Sequence, residues 1–152
     1  MIVADASVIL AWLLRLGSIP VPTDQRIHVP HLIDAEIANA VWGHVRRGEL
    51  DEHSGWEILY AFRWLGITRH GTFAMLDRVW ELRHNLSAYD AAYVALAEAL
   101  QCPLVTGDAR ISRAPGLHCP VTVLPADENV RHRCSWNECC RRSKIPGRGS
   151  KF

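Results

Sequence analysis

Four carboxylates in this 152-residue chain hold comparable places in its pattern of strands and helices: Asp5, Glu36, Asp90 and Asp108. Asp5 follows the short apolar run Ile2-Val3-Ala4, and Asp108 follows Leu104-Val105-Thr106 and the turn residue Gly107. Glu36 lies near the start of a long helix, at the edge of its apolar stripe. Asp90 falls in the first turn of another helix, three residues after the cap Ser87. Each alone reads as a cap or as a first-turn charge favoured by the helix dipole. In a right-handed α/β topology, however, strand ends and helix starts gather at one edge of the sheet. Four carboxylates meeting there repel one another unless they are protonated or share cations. All-oxygen ligation suits Mg²⁺ or Mn²⁺ rather than zinc, and such a cation activates water and stabilises in-line displacement at a phosphodiester. The sequence has no Gly-rich phosphate loop, nucleophile elbow or Cys/His catalytic pair to offer another chemistry.

The elements that must position these groups can be read along the chain. Residues 2–4 are a buried strand, and 8–16 a helix that Ser7 can cap, with Asp5 as a second capping residue. Residues 17–25 form a loop, and Ile27 to Val29 is extended. A helix starting at Pro30 or His31 runs to about Arg47, with Ile33, Ile37, Val41 and Val45 recurring every four residues on its buried face; Asp34 is a first-turn charge, and Gly48 ends the helix. A third helix covers 51–65, with Ile58, Leu59, Phe62 and Leu65 inward. Residues 67–68 allow a short strand, and 72–85 another helix with Phe73, Leu76, Val79 and Leu82 inward. The stretch 86–108 carries the clearest signal: Ser87 as cap, Tyr89, Tyr93, Leu96 and Leu100 at helical spacing, and a small-residue face of Ala91, Ala95 and Ala99. A strand at 104–106 follows, then a helical turn near 109–113 and a last strand at 121–124. This alternation predicts an α/β fold with a mainly parallel central sheet, its short apolar strands buried on both faces. Trp42, Trp56, Trp64 and Trp80 fall on the helices and read as core or subunit-contact aromatics. His28 and His31 read as surface residues.

Charge divides the chain. Residues 1–130 hold 10 basic and 15 acidic residues, a net −5, whereas 131–152 hold 7 basic residues and only Glu138 acidic, a net +6. An acidic folded part suits a cation, and a basic end suits a polyanion. Residues 1–125 are expected to form the domain, and 126–152 a disordered basic tail without hydrophobic periodicity. In that tail Cys134, Cys139 and Cys140, with His132, match the spacing of a zinc site poorly. Five cysteines with neither a basic leader nor an apolar run of membrane-spanning length are expected to be reduced thiols in the cytoplasm.

Four segments carry a family resemblance: Val3-Ala4-Asp5-Ala6-Ser7, Pro30-His31-Leu32-Ile33-Asp34-Ala35-Glu36, Ser87-Ala88-Tyr89-Asp90-Ala91-Ala92-Tyr93-Val94-Ala95-Leu96-Ala97, and Leu104-Val105-Thr106-Gly107-Asp108-Ala109-Arg110. In this order, over residues 1–125, they resemble PIN domains, and among these the VapC-type toxins of bacterial toxin–antitoxin pairs. The resemblance implies a three-layer PIN-like sandwich and an endoribonuclease dependent on Mg²⁺ or Mn²⁺. It puts Asp5, Glu36, Asp90 and Asp108 on the family's catalytic, metal-binding positions, and Ser7 and Thr106 where small polar residues stand beside the metal. It also implies an RNA substrate such as a tRNA or ribosomal RNA loop, a cognate antitoxin, a homodimer and no membrane association. The chain departs from the family between residues 14 and 26, where the family usually has a longer segment with a second helix. That departure motivates an alternative, a catalytically weak PIN-like module that binds RNA or a protein partner without cleavage. A phosphatase or receiver-type domain also places an Asp after its first strand, but Ser7 stands where it would need a second acidic residue.

Overall fold

The computed structural model describes residues 1–14 and 25–124. Five parallel strands, β1 (Ile2–Ala4), β2 (Ile27–Pro30), β3 (Ile67–His70), β4 (Leu104–Thr106) and β5 (Val121–Val123), form one sheet in the order β3-β2-β1-β4-β5. The chain builds outward from β1 in one direction through β2 and β3. It then returns to the other side of β1 for β4 and β5. The order reverses between β1 and β4, so the crevice at their carboxyl ends is the place where open α/β sheets take ligands.

Alternation along the strands divides the core. Ile2, Ala4, Ile27, Val29 and Val105 face one side, where they meet α1 (Ala6–Leu14), α2 (Ile33–Arg46) and α3 (Glu52–Arg63). Val3, Leu104 and Val121 face the other, against Val79 of α4 (Leu76–Glu81), Leu82 just beyond it, and α5 (Ala88–Ala99). Helix layers on both faces make the expected three-layer sandwich. Residues 91–97 of α5 are all buried, because the helix is covered by the sheet on one side and by the 73–84 segment on the other.

Several boundaries differ from expectation for local reasons. Helix α1 starts at Ala6 rather than Val8, because Asp5 takes the capping role: its carbonyl accepts from Ile9 N–H at 3.1 Å and its carboxylate from Val8 N–H at 3.1 Å. Ser7 therefore lies inside the first turn. Helix α2 starts at Ile33, since Pro30 still pairs with His70 and His31 N–H continues to His70 O at 2.9 Å. Gly48, at φ +69°, ends it in the left-handed region that glycine adopts freely. The helix expected over 72–85 is three pieces, with 3₁₀ turns at Phe73–Met75 and Leu82–His84 flanking α4. A 3₁₀ turn advances the side chains faster around the axis than an α turn, so the register breaks. Leu82 is buried, but Phe73 is 87 % exposed and Leu76 also faces solvent.

The four tryptophans are not core residues: Trp42, Trp56, Trp64 and Trp80 are all exposed. His28 is not a surface residue. It is 9 % exposed on β2, with Nδ1 2.8 Å from His70 Nε2 on β3. The loop read at 17–25, the end of the first helix beyond Leu14 and the tail over 126–152, with His132, Cys134, Cys139 and Cys140, fall wholly or largely outside the described residues. Among the described residues no helix is long and apolar enough to cross a membrane.

Candidate active site

Asp5 leaves β1 at the reversal of strand order, and its carboxylate is held from three directions. Ser7 Oγ–H donates to Oδ1 at 2.6 Å, Val8 N–H donates to the same oxygen, and the Thr106 hydroxyl donates to Oδ2 in a short hydrogen bond. Both hydroxyls are themselves fixed. Ser7 Oγ accepts from Gly107 N–H at 2.9 Å, and Thr106 Oγ1 accepts from Asp108 N–H at 2.9 Å. The loop after β4 is thereby tied to Asp5 through two serial bonds, one per carboxylate oxygen. Ser7 and Thr106, both expected beside the site, are thus supports of Asp5. Charge on Asp5 is compatible with its burial because these donors compensate it.

Glu36 comes from the first turn of α2 and meets Tyr93 of α5, whose hydroxyl donates to Oε2 at 2.5 Å. Burial pushes the Glu36 carboxyl above its usual range. The negative charges of Asp5 and Asp90 push the same way, and the Tyr93 bond opposes them. The Tyr93 phenol is held protonated, first by its own burial and then by the neighbouring Glu36. Asp90 lies one turn before Tyr93 on α5. Ser87 caps the helix by accepting Asp90 N–H at 3.1 Å and returns its hydroxyl to Asp90 Oδ2 at 2.7 Å.

Asp108 reaches the same edge from the loop after β4. Its carboxylate accepts from Arg110 Nε, Nη2 and backbone N–H, and this pairing holds it below the usual carboxylate range. The Arg110 cation also feels Asp90. Three of the four carboxylates foreseen from sequence, Asp5, Glu36 and Asp90, therefore share one electrostatic neighbourhood. The fourth, Asp108, is not among the charges that act on Glu36; it carries an internal cation, Arg110. Among the described residues no three His, Cys, Asp or Glu side chains stand close enough, as they lie, to hold a metal ion. Each carboxylate is instead turned to a protein donor.

The donor set nevertheless fits a hard divalent cation. It consists of carboxylate oxygens alone, and a cation there would offset the burial that disfavours the Glu36 carboxylate, to which Asp5 and Asp90 add. Two contributors lay beyond the sequence reading. Tyr93 was legible only as a helix-face residue, although its place three residues after Asp90 puts both on one face of α5. Arg110 appeared in a motif without a role, although an arginine two residues after an aspartate can fold back onto it.

Comparison with known proteins agrees with this fold. The model of the PIN domain family matches residues 2–117, so the chain belongs to the PIN-domain family. Within that family its likeness is to VapC proteins. It is 48 % identical over 126 residues to Ribonuclease VapC9 of Mycobacterium tuberculosis, covering 82 % of this chain and 99 % of that one. It is 41 % identical over 98 residues to Ribonuclease VapC1 of the same organism, covering 64 % of this chain and 74 % of that one. The solved structure of VapBC2 from Rickettsia felis bound to a DNA fragment from their promoter shares the fold, with TM-score 0.57 and 16 % identity, over 81 % of this chain and 98 % of that chain.

Proposed function

We propose that this protein is an endoribonuclease toxin of the VapC type, which hydrolyses RNA phosphodiesters with the help of Mg²⁺ or Mn²⁺ and is silenced by a cognate antitoxin. The observation that carries the metal-dependent step is the convergence of Asp5, Glu36 and Asp90 at the reversal of strand order, close enough for the charges of Asp5 and Asp90 to raise the proton affinity of Glu36. Its likeness to proteins named VapC ribonucleases supports the reaction class. The likeness to VapBC2, a pair bound to a DNA fragment from their promoter, supports an antitoxin partner.

Asp5, Glu36, Asp90 and Asp108 would hold the cation. Bound there, it would supply positive charge to the scissile phosphate and acidify an attacking water. The chain's own groups set the stage. The Ser7 and Thr106 hydroxyls, spent on Asp5, fix its carboxylate plane. Tyr93 fixes Oε2 of Glu36 and so orients the rest of that carboxylate. Ser87 fixes Asp90. RNA loops, whose bases are splayed and whose backbone is accessible, suit an open edge of this kind. The exposed tryptophans Trp42, Trp56, Trp64 and Trp80 support the homodimer or antitoxin contacts the family resemblance implies.

The test is cleavage of total RNA by the purified chain with and without Mn²⁺, beside Asp90→Asn. The expected result is discrete fragments that require both the metal and Asp90, with cleavage at least about 100-fold slower in the variant. An Asp90→Asn protein as active as the parent would refute the assignment. The pairing of Asp108 with Arg110 favours the second reading, a module that binds RNA without cutting; its signature is RNA binding indifferent to Mn²⁺ and no cleavage of any RNA pool.

A further inference from the structure

Asp108 differs from the other three carboxylates in what holds it. Asp5, Glu36 and Asp90 accept from neutral hydroxyls and amides, whereas Asp108 is answered by a full charge. Arg110 Nε lies 3.1 Å from Oδ1 and 2.9 Å from Oδ2, Nη2 lies 2.6 Å from Oδ2, and the Arg110 backbone N–H lies 2.8 Å from Oδ1. Both carboxylate oxygens are filled in the forked geometry in which arginine binds oxyanions most strongly.

Support of the fold does not explain the pair. Arg110 is 85 % exposed, and exposed ion pairs contribute little to stability. The loop is already fixed without it, by Asp108 N–H to Thr106 Oγ1, Ile111 N–H to Asp108 O at 3.2 Å and Gly107 N–H to Ser7 Oγ. The guanidinium instead covers both oxygens of Asp108 and also feels the charge of Asp90. Nothing buries it, so it can leave by side-chain rotation alone.

Resting on the metal-dependent site proposed above, we infer that Arg110 is a built-in counter-ion of Asp108, which a divalent cation must displace before Asp108 can ligate it. Arg110 then sets the affinity of the site. It neutralises one carboxylate in the free protein and competes with the metal for the same two oxygens. A lysine at this position would keep the charge but lose the fork, and would compete less well.

The experiment uses the full-length chain and Mg²⁺ alone, without RNA. Mg²⁺ affinity is measured by calorimetry for the parent, Arg110→Ala, Arg110→Lys, Asp108→Asn and the Arg110→Ala/Asp108→Asn double variant. The ¹⁵Nε resonance of Arg110, assigned by its loss in Arg110→Ala, is followed during a Mg²⁺ titration of the parent. Expected are about tenfold tighter Mg²⁺ binding in Arg110→Ala, an intermediate value in Arg110→Lys, and no further tightening when Arg110→Ala is added to Asp108→Asn. The Arg110 Nε signal should shift with the same midpoint as metal binding. If the parent binds Mg²⁺ while that signal stays put and Arg110→Ala binds no tighter, the counter-ion role is refuted and the metal site stands. Tightening that persists fully in the Asp108→Asn background would also refute it, since the effect would then be a general field and not competition for Asp108. If neither the parent nor Arg110→Ala binds Mg²⁺, the metal site itself falls, and this inference with it.

Discussion

At Gly107 the place of a side chain is already taken by Ser7. A Cβ built there would lie 2.7 Å from Ser7 Oγ and 3.4 Å from Ser7 Cβ. Ser7 Oγ cannot give way freely, because it donates to Asp5 and accepts from Gly107 N–H. Gly107→Ala must therefore either break those bonds or lift the loop that carries Asp108. The expected cost is about 1–3 kcal/mol in urea unfolding, in the range of overpacking a tight contact, with RNA cleavage falling more than stability does. In a Ser7→Gly background the same alanine should cost markedly less, because the clashing oxygen is gone. Equal costs in both backgrounds would show that the contact is not what requires the glycine. The residue scale is also where sequence was most and least informative. Asp5, Glu36, Asp90 and Asp108 announced themselves because strand ends and first helical turns are local patterns. The bond from Tyr93 to Glu36 joins residues 57 apart, and only the packing of α5 beside the start of α2 creates it.

Among the elements, α5 carries the heaviest duty. Its first turn presents Asp90, its second presents Tyr93, and it packs against β1, β2 and β4. Its start rests on one hydroxyl: Ser87 Oγ accepts Asp90 N–H and donates to Asp90 Oδ2. Ser87→Ala removes both bonds and is expected to destabilise the fold by about 1 kcal/mol, the usual loss of an N-cap. Ser87→Gly should cost only a few tenths of that, since glycine suits the cap backbone. Urea unfolding measures both, and hydrogen exchange should show the loosening confined to the first turn of α5. Exchange that quickens evenly along α5 would deny Ser87 its local role. The same helix shows why some elements were legible and others were not. Ser87 and the run of small and apolar residues after it define α5 without tertiary information, and the short apolar strands are equally plain. The 72–85 segment has an acceptable helical spacing, yet its 3₁₀ turns rotate Phe73 and Leu76 outward. Spacing counted at 100° per residue cannot anticipate a change of helix type. Likewise α1 begins two residues early because Asp5, serving the site, also serves as its cap.

Over the whole molecule, buried ionisable groups tie stability to pH with opposite signs. His28 on β2 faces His70 on β3, and a bond between two imidazoles needs one ring to accept, so both cannot be protonated while it lasts. His28 is held below its ordinary value of 6.5, first by burial and then by the positive charges of His70, Arg26 and the N-terminal amine. With its folded value depressed, the unfolded chain binds the extra proton first. The stability His28 contributes is complete above 6.5 and drains away as pH falls from there through the folded value. Glu36 acts in reverse: its carboxyl is raised above 4.5, so it detracts from stability at neutral pH and gives that back on protonation at lower pH. The loss from His28 begins at 6.5, whereas the gain from Glu36 runs from its raised value downward and is complete only below 4.5, so the two oppose each other in sign. Urea unfolding of the metal-free parent is therefore expected to weaken between pH 7.5 and pH 5.5. His28→Leu, which keeps the apolar volume and removes the titrating ring, should flatten that decline, whatever it does to stability at pH 7.5. If the slope survives the substitution unchanged, the acid sensitivity comes from elsewhere and the His28–His70 bond does not couple the β2–β3 edge to protons. A flattened slope would locate that coupling on β2, where it pairs with the edge strand β3.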